Sequence, residues 1–166
     1  MNMKEIVIYT DGSCQPNPGP GGWAAVILFP DGTKKEISGS IPNTTNNRME
    51  MLACLQALQS VPVGSHVRVV TDSQYVQQGM TNWVRAWKRR NWGLRVRSGQ
   101  NPKPVKNKDL WMLLDEARQI RNVTWGWCRG HDGNEWNERC DELASLARAS
   151  IETGPKNDHL FVGVDI

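Results

Sequence analysis

No stretch of this 166-residue chain is apolar for long enough to cross a membrane. Met1-Asn2-Met3-Lys4-Glu5 leads straight into a short strand-like run, without the apolar region and small-residue cleavage site of an export signal. A soluble cytoplasmic protein is expected. The four cysteines, at positions 14, 54, 128 and 140, form no Cys-x-x-Cys pair, which argues against a zinc ribbon and a secreted disulfide framework and leaves reduced thiols. Cys128, His131 and Cys140 match no recognised finger spacing either. Repeats and low-complexity segments are absent. The most informative gap is in charge of one sign: from Ser73 to Lys108 there is no Asp or Glu. Into that gap fall Arg85, Lys88, Arg89, Arg90, Arg95, Arg97, Lys103, Lys106 and Lys108, nearly half of the 20 basic residues. The formal net charge of +3 conceals this segregation.

The length fits one domain able to bury a core without disulfides. Ile6-Val7-Ile8-Tyr9 reads as a buried strand and residues 23–29 as a second; Asp31-Gly32 turns the chain into a third, Lys34 to Ser40. Thr44-Thr45 offers helix caps, and Met51, Leu55 and Leu58 recur at helical spacing from Asn47 to Gln59, before Pro62 and Gly64. Val67 to Thr71 is a further strand. Helices are predicted at Ser73 to Met80, Trp83 to Arg90 and Asp109 to Arg121, with a basic, Gly- and Pro-bearing loop before the last. Val123 to Cys128 is the final strand, and a glycine-flanked loop leads to a helix from about Asn137 to Ile151. The order predicts an α/β fold with a mixed sheet and helices on both faces. Residues 1–153 form the expected domain, with a basic handle at about 81–108; residues 154–166 form a tail.

Two strands end alike, in Tyr9-Thr10-Asp11-Gly12 and Val70-Thr71-Asp72-Ser73, each with an Asp at the carboxyl edge where sites form in open α/β sheets. Asp-Gly is also a common turn, and Asp72 also suits a helix cap. Glu50 shares a helical meridian with Cys54 and Ala57, small residues suited to packing on a sheet. Asp141 flanks the stripe Cys140, Ala144, Ala147, Ile151, with a surface pair to Arg148 as the alternative. Four converging acids would need a hard divalent cation, magnesium or manganese, and two such ions can activate water and steady the leaving oxygen of a phosphodiester.

Tyr9-Thr10-Asp11-Gly12-Ser13-Cys14, Asn17-Pro18-Gly19-Pro20-Gly21-Gly22, Thr44-Thr45-Asn46-Asn47-Arg48-Met49-Glu50, Thr71-Asp72-Ser73-Gln74-Tyr75-Val76 and Asn137-Glu138-Arg139-Cys140-Asp141-Glu142-Leu143-Ala144 together resemble type 1 bacterial ribonuclease H. The resemblance implies a five-stranded sheet, three antiparallel strands then two parallel. It implies a monomeric endonuclease acting on RNA–DNA hybrid, in which Asp11, Glu50, Asp72 and Asp141 hold two Mg2+ (or Mn2+) ions and the RNA strand is left with 5′-phosphate and 3′-hydroxyl ends. His131 resembles the family's mobile-loop histidine, assisting proton transfer or product departure. Asn17, Asn46, Asn47 and Gln74, with backbone groups around Cys14, match positions lining the minor groove, where neutral amides suit the 2′-hydroxyl. Thr45 matches a contact to a DNA phosphate. The basic handle is matched by Trp83, Trp87, Lys88, Arg89, Arg90, Trp92, Lys103 and Lys106, although Trp83 and Trp87, four apart on a helix, are also spaced for core packing. With no acid in the segment to balance its cations, a phosphate-tracking surface is expected.

Three departures from the family pattern stand out, one of them Asn134-Glu135-Trp136 in the loop before the last helix. The handle loop, with Arg95 and Arg97, is longer and more basic than usual, and Asp132 occupies a place where a small residue commonly follows the histidine. An anion there is expected to raise the His131 pKa. A DNA nuclease or strand-transfer enzyme on a related fold would need further domains for DNA specificity, and a silent hybrid-binding module would be betrayed by a missing carboxylate; all four are present.

Overall fold

The computed structural model describes residues 4–94, 97–101, 103–129 and 133–153. Strands β1 (Ile6–Cys14), β2 (Gly19–Leu28) and β3 (Lys34–Thr44) form an antiparallel meander. Helix α1 (Asn46–Gln59) leads to β4 (His66–Thr71), which returns beside β1 in parallel. A short helix α2 (Gln74–Gln78), a π-helical turn (Gly79–Trp83) and helix α3 (Val84–Arg89) follow as one nearly continuous rod. Helix α4 (Lys108–Gln119), strand β5 (Asn122–Trp127) and helix α5 (Glu135–Thr153) complete the domain. The sheet order is β3-β2-β1-β4-β5, with β5 parallel to β4, so the three-antiparallel, two-parallel arrangement holds.

Alternation along β2 shows why helices cover both faces. A Cβ on Gly21 would meet the side chains of Thr44 and Met49 beside α1, whereas one on the next residue, Gly22, would lie 2.1 Å from the Ala144 carbonyl oxygen of α5. Neighbouring glycines thus admit close approach on opposite faces. The α1 face holds Ile8, Ile27, Met49, Leu52 and Leu58, all essentially buried, and Trp111 and Leu114 of α4 extend that core. Three strands run well past their expected bounds, whereas β4 and β5 depart from theirs by no more than a single residue at either end. Because Gly19 pairs with Thr44, and Gly21 and Gly22 pair with both β1 and β3, β2 starts four residues earlier than Trp23, β1 runs on to Cys14 and β3 to Thr44. Asp11-Gly12 is therefore strand, paired with Ala24 and Trp23, and not a turn.

No helix among the described residues is long and apolar enough to cross a membrane.

Candidate active site

Parallel pairing of β1 with β4 ends at Thr10 opposite Thr71, so the next residue on each strand is an aspartate. Asp11 and Asp72 are thereby neighbours at one sheet edge. Helix α2 is capped by Ser73, whose Oγ accepts the Val76 amide at 3.2 Å, which leaves the Asp72 carboxylate out of the cap. From the β5 side, Cys128 N donates to Thr71 O at 2.9 Å and the Trp127 indole Nε1 donates to the Asp72 carbonyl at 3.1 Å. The turn that carries Asp72 is held from both directions.

Glu50 arrives from α1, whose first turn lies directly on Gly12. A Cβ there would stand 2.4 Å from Glu50 N and 2.5 Å from the Met49 carbonyl carbon, so only glycine fits. Thr45 caps the helix by accepting the Arg48 amide at 3.2 Å. Cys54 and Ala57 are fully buried, which places the Glu50 meridian on the sheet as its spacing predicts. One carboxyl oxygen from each of Asp11, Glu50 and Asp72 lies within 4.8 Å of the others. Asp141, on α5, lines the same open cleft of about 380 Å³ with Ser13, Asn46 and Asn47, outside that tight trio. Its alternative partner is engaged elsewhere: Arg148 Nη1 donates to Gln15 Oε1 at 2.8 Å.

The electrostatics follow from burial. Asp11 is 6% exposed. Burial, with the Asp72 charge added, pushes its pKa from 3.8 up to about 7, against the opposing effect of hydrogen bonds from Glu50 and the Gly12 amide. Glu50 is raised by burial first, then by the charges of Asp11 and Asp72, and its Oε2 is shielded from solvent with no hydrogen-bond partner among the described residues. Oxygen-only ligands that repel one another, with Glu50 Oε2 lacking a donor among the described residues, fit a hard divalent cation. Burial also pushes the neighbouring Cys54 thiol up to about 12, which makes it an inert packing group.

Around this cleft the expected contact residues interlock. Asn17 Oδ1 accepts the Asn46 amide at 3.2 Å, and Asn46 Oδ1 accepts the Cys14 amide at 2.7 Å. The buried Cys14 thiol donates towards the carbonyls of Pro16, Gly19 and Thr44 and so braces the loop from inside. Asn46 and Asn47 are exposed, as is Gln74 at the start of α2. Trp83 and Trp87 join Tyr75 and Trp111 in an aromatic cluster with ring centroids 5.2 to 5.8 Å apart, so packing is their structural work, and Trp92 is half-buried against the same core. Arg89, Arg90, Lys103 and Lys106 are exposed. One expectation needs correction: the handle is not wholly without acids in space. Lys88 Nζ lies 2.9 Å from Asp115, which also binds Arg118 at 2.6 Å. Burial alone would raise Asp115, but hydrogen bonds from Lys88 and Arg118 hold it below the usual carboxylate range. His131 and Asp132 lie outside the described residues, as does Arg95.

Sequence reasoning missed one more tie. Arg48 grips Asp109 with two bonds of 3.0 and 2.7 Å and Asn107 Oδ1 at 3.2 Å, while Asn107 Nδ2 donates to Tyr75 Oη at 3.0 Å. This fastens the Glu50 end of α1 to the start of α4. Arg48 sits within a motif that drew attention, but its partner is 61 residues away and no local pattern announces it.

Residues 3–149 match the family model for RNase H. The ribonuclease H of Cupriavidus metallidurans is 48% identical over 151 residues, spanning 91% of this chain and 100% of that protein. That of Thiobacillus denitrificans is 54% identical over 145 residues, 87% of this chain and 94% of the relative. Among solved structures, LC9-RNase H1, a type 1 RNase H with the type 2 active-site motif, superposes with a TM-score of 0.76 at 31% identity, covering 90% of this chain and 74% of that one. LC11-RNase H1, solved in complex with RNA/DNA hybrid, gives 0.65 at 26% identity over 89% of this chain and 99% of its own.

Proposed function

This chain belongs to the ribonuclease H family, and from that premise we propose that it hydrolyses the RNA strand of RNA–DNA hybrids in the cleft formed by Asp11, Glu50, Asp72 and Asp141. The observation that carries the reading is the approach of three carboxylates within 4.8 Å beside exposed amide side chains. Acids held close enough to repel one another suit binding of divalent cations, and we assign Asp11, Glu50, Asp72 and Asp141 to two magnesium ions, with manganese as a substitute. Such ions, when bound, supply an activated water and neutralise charge at the leaving oxygen, giving 5′-phosphate and 3′-hydroxyl products.

The protein's own groups do the positioning. Asn46 has spent its Oδ1 on Cys14 N, so its amide nitrogen is the group it offers to a minor-groove 2′-hydroxyl. Asn17, Asn47, Gln74 and the backbone near Cys14 extend that surface; Thr45 and the handle residues Arg89, Arg90, Lys103 and Lys106, with Lys88 and the exposed parts of Trp83, Trp87 and Trp92, hold phosphates and the DNA strand. His131 handles protons or helps product leave. A monomeric cytoplasmic domain of residues 1–153, with its handle at about 81–108, and a tail at 154–166, outside the described residues, complete the reading.

Labelled RNA–DNA hybrid, duplex RNA and duplex DNA test it, with magnesium, for the protein and its Asp11→Asn variant. Cleavage confined to RNA in the hybrid and lost in the variant is expected; binding without cleavage would make the chain a hybrid-binding module.

A further inference from the structure

The loop of residues 15–18, between β1 and β2, is exposed, yet it touches both helices that bring acids to the cleft from outside the sheet, α1 with Glu50 and α5 with Asp141. From within, it is closed by the Gln15 amide, which donates to Pro20 O at 3.1 Å, and by the Cys14 thiol, 3.3 Å from both Pro16 O and Gly19 O. On the α1 side Asn17 Oδ1 accepts the Asn46 amide at 3.2 Å. On the α5 side Gln15 Oε1 accepts from Arg148 Nη1 at 2.8 Å. The loop is a bridge between the two helices, with a side-chain tie to each.

Arg148 lies two helical turns, roughly 10 Å, beyond Asp141 and on the same face of α5. Its backbone is seated on the sheet. A Cβ on Gly22 would lie 2.7 Å from Arg148 N, and Gly22 pairs with Ser13, a residue of the cleft wall. The guanidinium is close enough to Cys14 for its charge to offset part of the upward push that burial gives the thiol pKa. Arg148 makes no ion pair among the described residues, those of α5 being made by Arg139. Its Nε is shielded from solvent without an acceptor among those residues, so Gln15 Oε1 is the side-chain acceptor this half-buried cation has there. A hydrogen bond from a charged donor is stronger than one between neutral groups, which makes the α5 tie the firmer of the two. Ordering the loop before substrate arrives reduces the entropy lost on binding. The tie therefore acts on affinity and leaves the chemical step alone.

We propose that Arg148 is a positioning residue for hybrid binding, which through Gln15 holds the loop between β1 and β2 against α5 and so sets Asn17 in place before the minor groove arrives. The inference rests on the reading of the cleft as a site for RNA–DNA hybrid. Arg148→Ala and Gln15→Ala, singly and combined, test it in hybrid cleavage and in hybrid binding followed by fluorescence anisotropy in chelator. Each single variant is expected to raise KM and the metal-free Kd about threefold to tenfold, with kcat and the magnesium needed for half-activity unchanged. The double variant should lose no more than either single one, because both break the same tie. Arg148→Lys, which keeps a donor, should recover part of the loss. Salt dependence separates positioning from contact: an unchanged log–log slope in every variant is expected. Weaker binding in Arg148→Ala alone, with a slope flattened by about 1, would mean that the guanidinium meets a phosphate directly, and the positioning role would be wrong. Parent affinity in both single variants, or additive losses, also overturns it. A parent protein that neither binds nor cuts hybrid would sink the reading of the cleft instead. The tie is then judged by amide NMR of the metal-free protein, where Asn17 and Gly19 resonances unmoved in Arg148→Ala would overturn it.

Discussion

Replacing Asp11 with asparagine removes a charge that folding has to bury. The carboxyl pKa rises from 3.8 to about 7 on folding, so the protonated form is the one the native protein prefers. The sign follows: stability from this group is fully present below its ordinary value and is lost as pH rises through about 7. A rise from 3.8 to about 7 corresponds to at most about 4 kcal/mol. Asparagine does not ionise and escapes that loss. In metal-free protein at pH 8, Asp11→Asn is therefore expected to be the more stable form by up to about 4 kcal/mol, or roughly 8–15 °C in Tm for a chain of this size. The advantage should fade as pH falls towards 4.5, where the parent carboxyl is protonated. It should also narrow in magnesium, because a cation bound only by the folded parent stabilises it. Thermal unfolding followed by circular dichroism, in chelator and in magnesium across that pH range, measures all three effects. Equal Tm values at pH 8 in chelator, or a gain that persists undiminished at pH 4.5, would refute the buried-charge argument.

Gly12→Ala should cost about 1–3 kcal/mol or more, since its Cβ meets the α1 backbone, whereas Gly126→Ala, 3.6 Å from the nearest atom, should be tolerated; denaturant unfolding of the pair tests whether close approach or general strand propensity governs Gly12. Trp127→Phe keeps a ring but removes the bond to the Asp72 carbonyl, so kcat is expected to fall severalfold with more magnesium needed for half-activity and an unaltered KM for hybrid; an unchanged magnesium titration would rule the indole out as a positioning residue. Alanine at both Arg95 and Arg97 should flatten the salt dependence of hybrid binding by about 1–2 in log–log slope, and an unchanged slope would remove these residues from the binding surface. Asp132→Ala should lower the His131 pKa, read by NMR titration, because it deletes the anion expected to favour the imidazolium.

Legibility in the sequence tracked the range of the interactions. Strand ends, helical spacing and caps are local, and they located Asp11, Glu50 and Asp72 at one edge before any contact was visible. Residues 19–22 read poorly for the opposite reason: three glycines and a proline look like a loop, yet they are strand because Gly21 and Gly22 admit helices on opposite faces. Gly79 is similar, as a Cβ there would strike the Trp111 ring, and the π-helical turn forms where the rod passes that indole. Pairings across distance had no local signature. Lys88 finds Asp115 across 27 residues, so a segment empty of acids in sequence is partly neutralised in space.

The carboxylates are brought together by elements that have separate reasons to be where they are. Parallel register between β1 and β4 sets Asp11 beside Asp72; the Gly12 contact and the Arg48–Asp109 grip seat α1 and with it Glu50; the Gly22 contact seats α5 and with it Asp141. None of these devices depends on attraction among the acids, which repel. The repulsion and the raised pKa of Asp11 are therefore imposed by core packing elsewhere. Weakening the core at a distance, for instance at Leu114 or Met51, should then lower stability without changing the affinity of the remaining folded molecules for magnesium.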